Sequence, residues 1–161
     1  MDENARRELA ARIAEVALLR GSFTLRSGRT SPYYLDKYLF STRPELLDQI
    51  ADLLADRVRA VKQATTIDRL AGAELGGIPL VTATSLKTGL PCVFIRNRKK
   101  DYGTAKQLEG LLDPGERVVL IEDVATTGGQ ALEAVQTVRD IGAEVVRVIC
   151  VIDRMEGARD R

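Results

Sequence analysis

The chain has 161 residues, of which 45% are hydrophobic, so it is long enough for one domain with a stable core and too short for two comfortable ones. Its 24 Lys and Arg residues against 23 Asp and Glu leave a net charge of +1, which gives no general reason to expect nucleic acid or an anionic membrane as a partner. Histidine is absent, which excludes histidine-bound zinc, Ser-His triads and imidazole acid–base catalysis.

The first third of the chain contains two helical patterns. Residues 3–19 place Leu9, Ile13 and Val16 on one face at helical spacing and predict an amphipathic helix. The next segment, SFTLRSGRTSPYYLDKYLF, is rich in Thr, Tyr, Phe and Ser and favours short strands or extended loops. The sequence from Thr42 to Glu45 matches a capping box, and apolar residues then recur at helical spacing to about residue 62.

From residue 67 onward, short apolar strands alternate with helices. Strands are predicted over residues 67–71, 92–96, 118–121 and 145–152, and helices over residues 78–89 and 131–141. Apolar strands separated by helices predict an α/β fold with a parallel sheet of about five strands covered on both faces. Ligands of such sheets bind at the carboxyl ends of the strands, so the residues that follow each strand are the candidates for function.

The remaining composition predicts an intracellular protein without disulfides. Apolar runs are short and interrupted by charge, and the chain begins without a signal-peptide pattern, so we expect a soluble cytoplasmic protein that does not enter a membrane. Cys92 and Cys150 lie far apart, each within an apolar stretch, and buried thiols explain them better than a disulfide or a metal pair.

The most informative segment is VVLIEDVATTGGQ, residues 118–130, in which an apolar strand leads into two carboxylates and a loop of Thr and Gly. Successive backbone amides at such a turn, together with the positive end of the following helix, form an anion site that fits a phosphate. The alternative is an ordinary turn between a strand and a helix, with Thr127 as the helix cap. The loop has neither the lysine of a P-loop nor the glycine pattern of a dinucleotide site.

Glu122 and Asp123 make the phosphate interpretation more specific. Two carboxylates beside a phosphate would repel it by several kcal/mol in a partly buried site unless something positive lay between them. A magnesium ion, or a sugar whose hydroxyls donate hydrogen bonds and whose ring carbon gains positive charge during reaction, would meet this need. The ligand that combines these features is a phosphorylated ribose.

The segment VVLIEDVATTGG resembles the phosphoribosyl-pyrophosphate (PRPP) motif of type I phosphoribosyltransferases. The segments FTLRSGRTSPYYLD, AGAELGGIPL and RNRKKDYGTAKQLEG resemble, in the same order, those of the orotate phosphoribosyltransferase family. This resemblance implies a single phosphoribosyltransferase domain over residues 1–161, with a small hood mainly from residues 1–40 and a core from residues 41–161.

The resemblance also assigns the residues that bind PRPP. The acidic pair Glu122 and Asp123 would contact the ribose hydroxyls and stabilise positive charge in the transition state. The loop that would hold the 5-phosphate consists of Val124, Ala125, Thr126, Thr127, Gly128 and Gly129. The pyrophosphate loop would consist of Ala73, Glu74, Leu75, Gly76 and Gly77. We expect the Glu74 side chain to point away from pyrophosphate or to help hold magnesium, the alternative being a solvated loop carboxylate.

A basic segment, RNRKKDYGTAKQ, lies between the two loops. From charge alone it is a solvated surface, but the resemblance implies a mobile lid that reaches the active site of the neighbouring subunit. Arg96, Lys100 and Tyr102 match the family's pattern, and Arg96 and Lys100 would neutralise the departing pyrophosphate. Asn97 stands where the family usually has lysine.

The residues assigned to orotate by the resemblance lie in three parts of the chain. They are Arg26, Tyr33, Tyr34, Thr126 and Arg154. Arg26 replaces the lysine usual in the family, an exchange that is not neutral at a packed site because the guanidinium is planar and bulkier. Core packing is the alternative explanation of Tyr33 and of Tyr34.

The reaction implied is the transfer of phosphoribosyl from PRPP to orotate, giving orotidine 5′-monophosphate and pyrophosphate in de novo pyrimidine synthesis. Mg²⁺ would be held mainly by PRPP and water, near Asp123, and a lid that acts in trans implies a homodimer with shared active sites. Two alternatives stay open. They are a phosphoribosyltransferase for a purine or for uracil, and a PRPP-binding regulator without catalysis.

Overall fold

The computed structural model describes residues 2–24, 28, 30–97 and 107–160. A helix and a hairpin open the chain, and helices and strands alternate through most of the rest. The helices are α1 (Glu3–Ala17), α2 (Lys37–Ser41), α3 (Pro44–Ala64), α4 (Gly77–Thr88) and α5 (Gly129–Asp140), with a short 3₁₀ helix at Ala158–Asp160. The strands are β1 (Leu18–Thr24), β2 (Thr30–Leu35), β3 (Arg69–Ala73), β4 (Cys92–Ile95), β5 (Leu108–Glu109), β6 (Arg117–Ala125) and β7 (Glu144–Asp153).

The described strands form two sheets. β1 and β2 pair antiparallel as a hairpin, whereas the larger sheet has the order β5-β4-β3-β6-β7. The α/β sheet of about five strands is thus confirmed, but one detail was wrong: β5 runs antiparallel to β4, while the other four strands are parallel. An antiparallel strand can return beside its neighbour without a crossover helix. A strand of two residues also has no apolar run from which it could be predicted.

The core lies on both faces of the large sheet, as continuous apolar strands require. Val119 and Ile121 of β6 pack on the side of α1, α3 and α4, and Val118 and Leu120 pack on the side of α5. All four side chains are fully buried. β6 is therefore a central strand with a helix layer on each side, and the residues at its carboxyl end face either one layer or the other.

The predicted capping box at Thr42–Glu45 was wrong. The residue that caps α3 is Arg43, which makes no side-chain cap hydrogen bond, and Pro44 occupies the first turn. Thr42 instead terminates α2, where its hydroxyl donates to the carbonyl of Tyr38 at 2.6 Å. A short helix directly upstream thus claims the hydroxyl, and proline at the start of α3 removes an amide that would otherwise need a partner.

The strand that carries the acidic pair is longer than its apolar run. The sequence predicts a strand over residues 118–121, whereas β6 continues to Ala125. The extension is held by β7, against which Glu122 pairs with Cys150 and Ala125 pairs with Asp153. Glu122 and Asp123 are therefore fixed by a sheet ladder and do not belong to a loop.

Two further expectations concern the cysteines and the membrane. Cys92 and Cys150 are both free and half-buried, and burial raises the pKa of the Cys150 thiol. Within residues 2–24, 28, 30–97 and 107–160, no helix has the length and apolar character needed to cross a bilayer.

Helix α4 offers a matched test of the packing that positions residues 73–77. Leu80 is fully buried against the sheet, whereas Leu86 on the same helix is 84% exposed. Leu80→Ala should lower the free energy of unfolding by ~2–5 kcal/mol because it leaves a cavity. Leu86→Ala should change it by less than about 0.5 kcal/mol. Urea denaturation of the two variants provides the measurement, and equal losses would contradict the packing described here.

Candidate active site

The two acidic residues of β6 face opposite sides of the sheet. Successive residues of a strand alternate in direction, so Asp123 follows Ile121 toward α4 and Glu122 follows Leu120 toward α5. Both are buried, with Glu122 6% and Asp123 2% exposed. Sequence analysis assigns both residues the same role, whereas in the structure the two carboxyl groups have different neighbours.

Asp123 lies at the junction of three segments. Its Oδ1 accepts a hydrogen bond from the Val124 amide at 2.6 Å, and its Oδ2 lies 2.7 Å from Nζ of Lys37, the first residue of α2. That Oδ2 also lies so close to Gly76 that a Cβ on residue 76 would collide with it. Glycine is therefore required there by the carboxylate itself, not by a positive φ.

The ion pair with Asp123 sets the protonation of Lys37. Burial of the ammonium opposes its charge, but the hydrogen bond to Asp123 and the negative charge of that carboxylate outweigh this effect, and the pKa of Lys37 is raised. The lysine is therefore a fixed positive charge at neutral pH. Sequence reasoning missed it, because the only signal was a single lysine within the apolar and aromatic run YLDKYLF.

Glu122 is the second unusual carboxyl group of the site. Burial, together with the nearby carboxylate of Asp123, raises its pKa from an ordinary value of 4.5 to about 8. Its Oε2 is buried and has no hydrogen-bond partner among the described residues. It borders a cleft of ≈ 200 Å³ that is otherwise lined by residues 124–131. A buried carboxyl atom without a partner beside a polar cleft is a group placed to contact a ligand.

The cleft next to Glu122 is an anion site by its backbone. Gly128, in the left-handed region at φ 81°, is the N-cap residue of α5, and no side chain caps this helix. The alternative in which Thr127 caps α5 is thus wrong, and the first-turn amides keep their hydrogen-bonding capacity. Thr126, Thr127, Gly128 and Gly129 all line the cleft together with Val124 and Ala125. Free amides at a helix N-terminus favour a phosphate.

The second loop of the sequence prediction begins at the end of β3 and leads into α4. Gly76 is the N-cap residue of α4, again without a side-chain cap, and Gly77 is the first residue of the helix. The helix lies close to β3, since a Cβ on Gly72 would stand 2.6 Å from the carbonyl oxygen of Gly77. A second uncapped helix N-terminus therefore lies on the Asp123 side of β6, opposite the one on the Glu122 side.

The Glu74 side chain is hydrogen-bonded to Asn97. Its Oε1 accepts a hydrogen bond from the amide of Asn97 at 2.8 Å, and the Asn97 side-chain amide donates to the Glu74 carbonyl at 3.3 Å. These contacts occupy the Glu74 carboxylate with a neighbouring backbone amide, and its orientation toward pyrophosphate or magnesium stays a prediction. They also connect residues 73–77 to Asn97, the second residue of the basic segment.

Of the three lid residues that match the family's pattern, Arg96 is the one that the structure describes. Its Nη1 lies 3.7 Å from Oε1 of Glu109 on β5, at the outer edge of the sheet. Because β3 separates β4 from β6, the structure does not bring Arg96 to Glu122 and Asp123. Arg26, Lys100 and Tyr102 lie outside the described residues.

Of the predicted orotate residues, Thr126 lines the cleft at the start of α5, and the other three described residues divide into two groups. Arg154 follows β7, its amide donates to the carbonyl of Ala125 at 2.9 Å, and its guanidinium lies 6.0 Å from the ring centroid of Tyr33. Tyr34 faces the other side of β2, where its ring centroid is 5.7 Å from that of Phe23. Core packing explains neither tyrosine, since Tyr33 is 42% and Tyr34 is 44% exposed. Tyr33 and Arg154 thus form one polar and aromatic surface beside the end of β6.

The carboxylates fit a magnesium ion that a substrate would bring. No cluster of three or more His, Cys, Asp or Glu side chains suited to a metal occurs in the described parts of the chain. Magnesium bound through substrate phosphates needs only one or two protein carboxylates. Oδ2 of Asp123, a buried oxygen whose contact is the Lys37 ammonium, is a suitable donor of this kind.

Comparison with known proteins agrees with this arrangement. Residues 40–161 match the model of the phosphoribosyl transferase domain family. The chain is 52% identical over 151 residues to the orotate phosphoribosyltransferase of Natronomonas pharaonis, covering 94% of this chain and 83% of that protein.

Two solved structures of the Mycobacterium tuberculosis orotate phosphoribosyltransferase also resemble the chain. The complex with Fe(III) dicitrate gives a TM-score of 0.82 at 34% identity and covers 97% of this chain and 88% of that one. The complex with PRPP gives a TM-score of 0.78 at 33% identity and covers 97% and 87%. At these identities the likeness extends beyond the general fold.

The raised pKa of Glu122 predicts a pH-dependent stability. Because its folded pKa of about 8 exceeds the ordinary 4.5, the folded state holds this proton more tightly than the unfolded state. The stabilisation is complete below about pH 4.5 and is lost as the pH rises through about 8. Glu122→Gln cannot ionise and should flatten this decline in the free energy of unfolding, whereas Glu133→Gln, at an exposed position of α5, should not.

Urea denaturation at several pH values between about 5 and 9 measures the effect. Curves of equal slope for the unmodified protein and for Glu122→Gln would show that Glu122 ionises normally.

Proposed function

The chain belongs to the orotate phosphoribosyltransferases of the phosphoribosyltransferase domain family, and from this premise we propose which of its residues bind the substrates and stabilise the reaction. The enzyme transfers the phosphoribosyl group of PRPP to orotate and releases pyrophosphate. The observation that carries the assignment of residues is the position of Asp123, a buried carboxylate at the edge of the sheet where both uncapped helices begin.

PRPP carries an anionic group at each end of its ribose, and the site has an uncapped helix N-terminus on each side of the acidic residues. The 5-phosphate binds to the amides of residues 125–129 at the start of α5. The pyrophosphate binds to residues 73–77 at the start of α4. The ribose lies between them and donates hydrogen bonds from its hydroxyls to Asp123, with Glu122 on the 5-phosphate side. Support for this order comes from the geometry of β6, which presents one carboxyl group to each side.

Orotate binds between the hairpin and the end of β7. The Arg154 guanidinium supplies positive charge for the orotate carboxylate, and the Tyr33 ring supplies a flat surface for the pyrimidine. Their proximity of 6.0 Å supports this assignment. Tyr34, which packs near Phe23, contributes to the stability of the hairpin. The hairpin itself acts as a hood over the base, within a single domain.

Catalysis depends on electrostatics and positioning. Orotate N1 attacks the ribose C1 as an anion, the bond from C1 to the pyrophosphate oxygen breaks, and the departing pyrophosphate keeps the electron pair. The Asp123 carboxylate stabilises the positive charge that develops on the ribose ring. Asp123 would help to hold a magnesium ion that is bound mainly by PRPP and water, and the ion would supply positive charge to the pyrophosphate. Arg96 and Lys100 serve the same end from the basic segment.

Steady-state assays test this function and Asp123 together. With PRPP and Mg²⁺, orotate should be consumed, and uracil, hypoxanthine and adenine should not. Asp123→Asn keeps the shape of the side chain but removes its charge, and should lower turnover by at least ~100-fold with little loss of stability. Asp140→Asn, at an exposed position of α5, is the matched control and should be neutral. Near-normal turnover of Asp123→Asn would remove this residue from the mechanism.

We propose that the enzyme is a homodimer in which the basic segment acts on the partner's site. The direction of Arg96 toward Glu109, and away from Asp123 of its own chain, supports this arrangement. Lys100→Ala and Asp123→Asn should each be nearly inactive alone. Mixed together, they should recover about a quarter of normal activity, because random pairing leaves one intact site in half of the dimers. Absence of recovery in dimers shown to exchange subunits would mean that each chain works alone.

A further inference from the structure

Lys37 brings a positive charge into the cleft from outside the predicted motifs. Its backbone is fixed on both sides: the Asp36 amide donates to the carbonyl of Ala17 at 2.8 Å, and the Asp36 side chain caps α2 by accepting from the Tyr38 amide at 3.1 Å. The Lys37 side chain keeps 30% of its surface exposed, while its ammonium contacts a carboxylate that is 2% exposed. The lysine therefore lies at the border between the cleft and the interior.

The ammonium also lies next to the pyrophosphate loop. The Asp123 oxygen that it contacts is the same oxygen that a Cβ on Gly76 would strike. Lys37 Nζ thus stands beside the uncapped start of α4, where a helix N-terminus already favours an anion. Among the described residues near this loop, Asn97 offers an uncharged amide and Arg96 is directed to Glu109.

We propose that Lys37 is a catalytic cation of the transfer reaction. When PRPP binds, the ribose hydroxyls replace the ammonium on Asp123, and Lys37 turns to the pyrophosphate oxygens on residues 73–77. This inference rests on the proposed function. As the bond from C1 to oxygen breaks, the electron pair goes to the pyrophosphate, and the ammonium stabilises that charge without giving up its proton.

The same lysine explains how the site tolerates a buried carboxylate before substrate arrives. Without a partner, a buried charge is destabilising, and the ammonium supplies the partner in the free protein. Its flexible four-carbon stem lets a compact charge move between two anions that are close together. The contact with Asp123 is then the resting position of a group that acts on substrate.

Lys37→Met tests the proposal, with Lys87→Met as its matched control. Lys87 pairs with Asp48 and Asp52 on the outer surface of α3 and α4, and its side chain is 32% exposed, close to the 30% of Lys37. Titration calorimetry with magnesium pyrophosphate, PRPP and ribose 5-phosphate separates the two ends of the ligand. Lys37→Met should weaken binding of pyrophosphate and PRPP at least ~10-fold and lower kcat about 100-fold. Affinity for ribose 5-phosphate should be unchanged or higher, since Asp123 is freed.

A second comparison covers the case in which Lys37→Met does not fold because Asp123 is left unpaired. Asp123→Asn is compared with the double variant Lys37→Met/Asp123→Asn, in which no buried charge is left alone. The double variant should bind magnesium pyrophosphate at least ~10-fold more weakly than the single variant. Equal affinities would overturn the proposal and leave Lys37 as a counter-ion only. If the unmodified protein binds neither PRPP nor pyrophosphate, the proposed function itself fails.

Discussion

The contact between Lys37 and Asp123 is the interaction on which the site depends. A carboxylate buried at the carboxyl end of a central strand needs compensation, and here it comes from the Val124 amide and from an ammonium that enters from α2. Because α2 directly follows the N-terminal hairpin, the same contact joins that layer to the central strand of the sheet. Charge, in addition to apolar packing, thus connects α2 and the hairpin before it to β6.

In the proposed function, the two helices that begin at the carboxyl ends of β3 and β6 supply one anion site to each end of PRPP. α4 packs on one face of the sheet and α5 on the other, so their N-termini approach β6 from opposite sides. Neither has a side-chain cap, and an uncapped N-terminus carries amides that lack partners within the helix. Between them lie two buried carboxyl groups, of which Asp123 is paired with the Lys37 ammonium and Glu122 has a raised pKa.

Sequence analysis was correct for features whose signals lie close together in the chain. The run from Val118 to Gly129 predicted strand, loop and helix because its signals lie next to each other, and the structure confirms their order. It could not show that alternation sends Glu122 and Asp123 to different faces, or that β7 extends the strand to Ala125. Contacts between distant segments could not be predicted either. Nothing in the residues around Lys37 indicates its contact with Asp123. Thr42 matched a capping box, but its hydroxyl instead donates to Tyr38 of the preceding helix.

The close approach of Gly76 to Asp123 has a consequence for how such a site can change over time. Any side chain at residue 76 would displace the carboxylate, and a smaller residue at 123 would be needed to make room. The two positions are therefore expected to be epistatic, so that an exchange harmful at either one is tolerated only with a compensating exchange at the other. After a loss of Asp123 in evolution, residue 76 is free to acquire a side chain, and that side chain would then prevent the return of aspartate at residue 123.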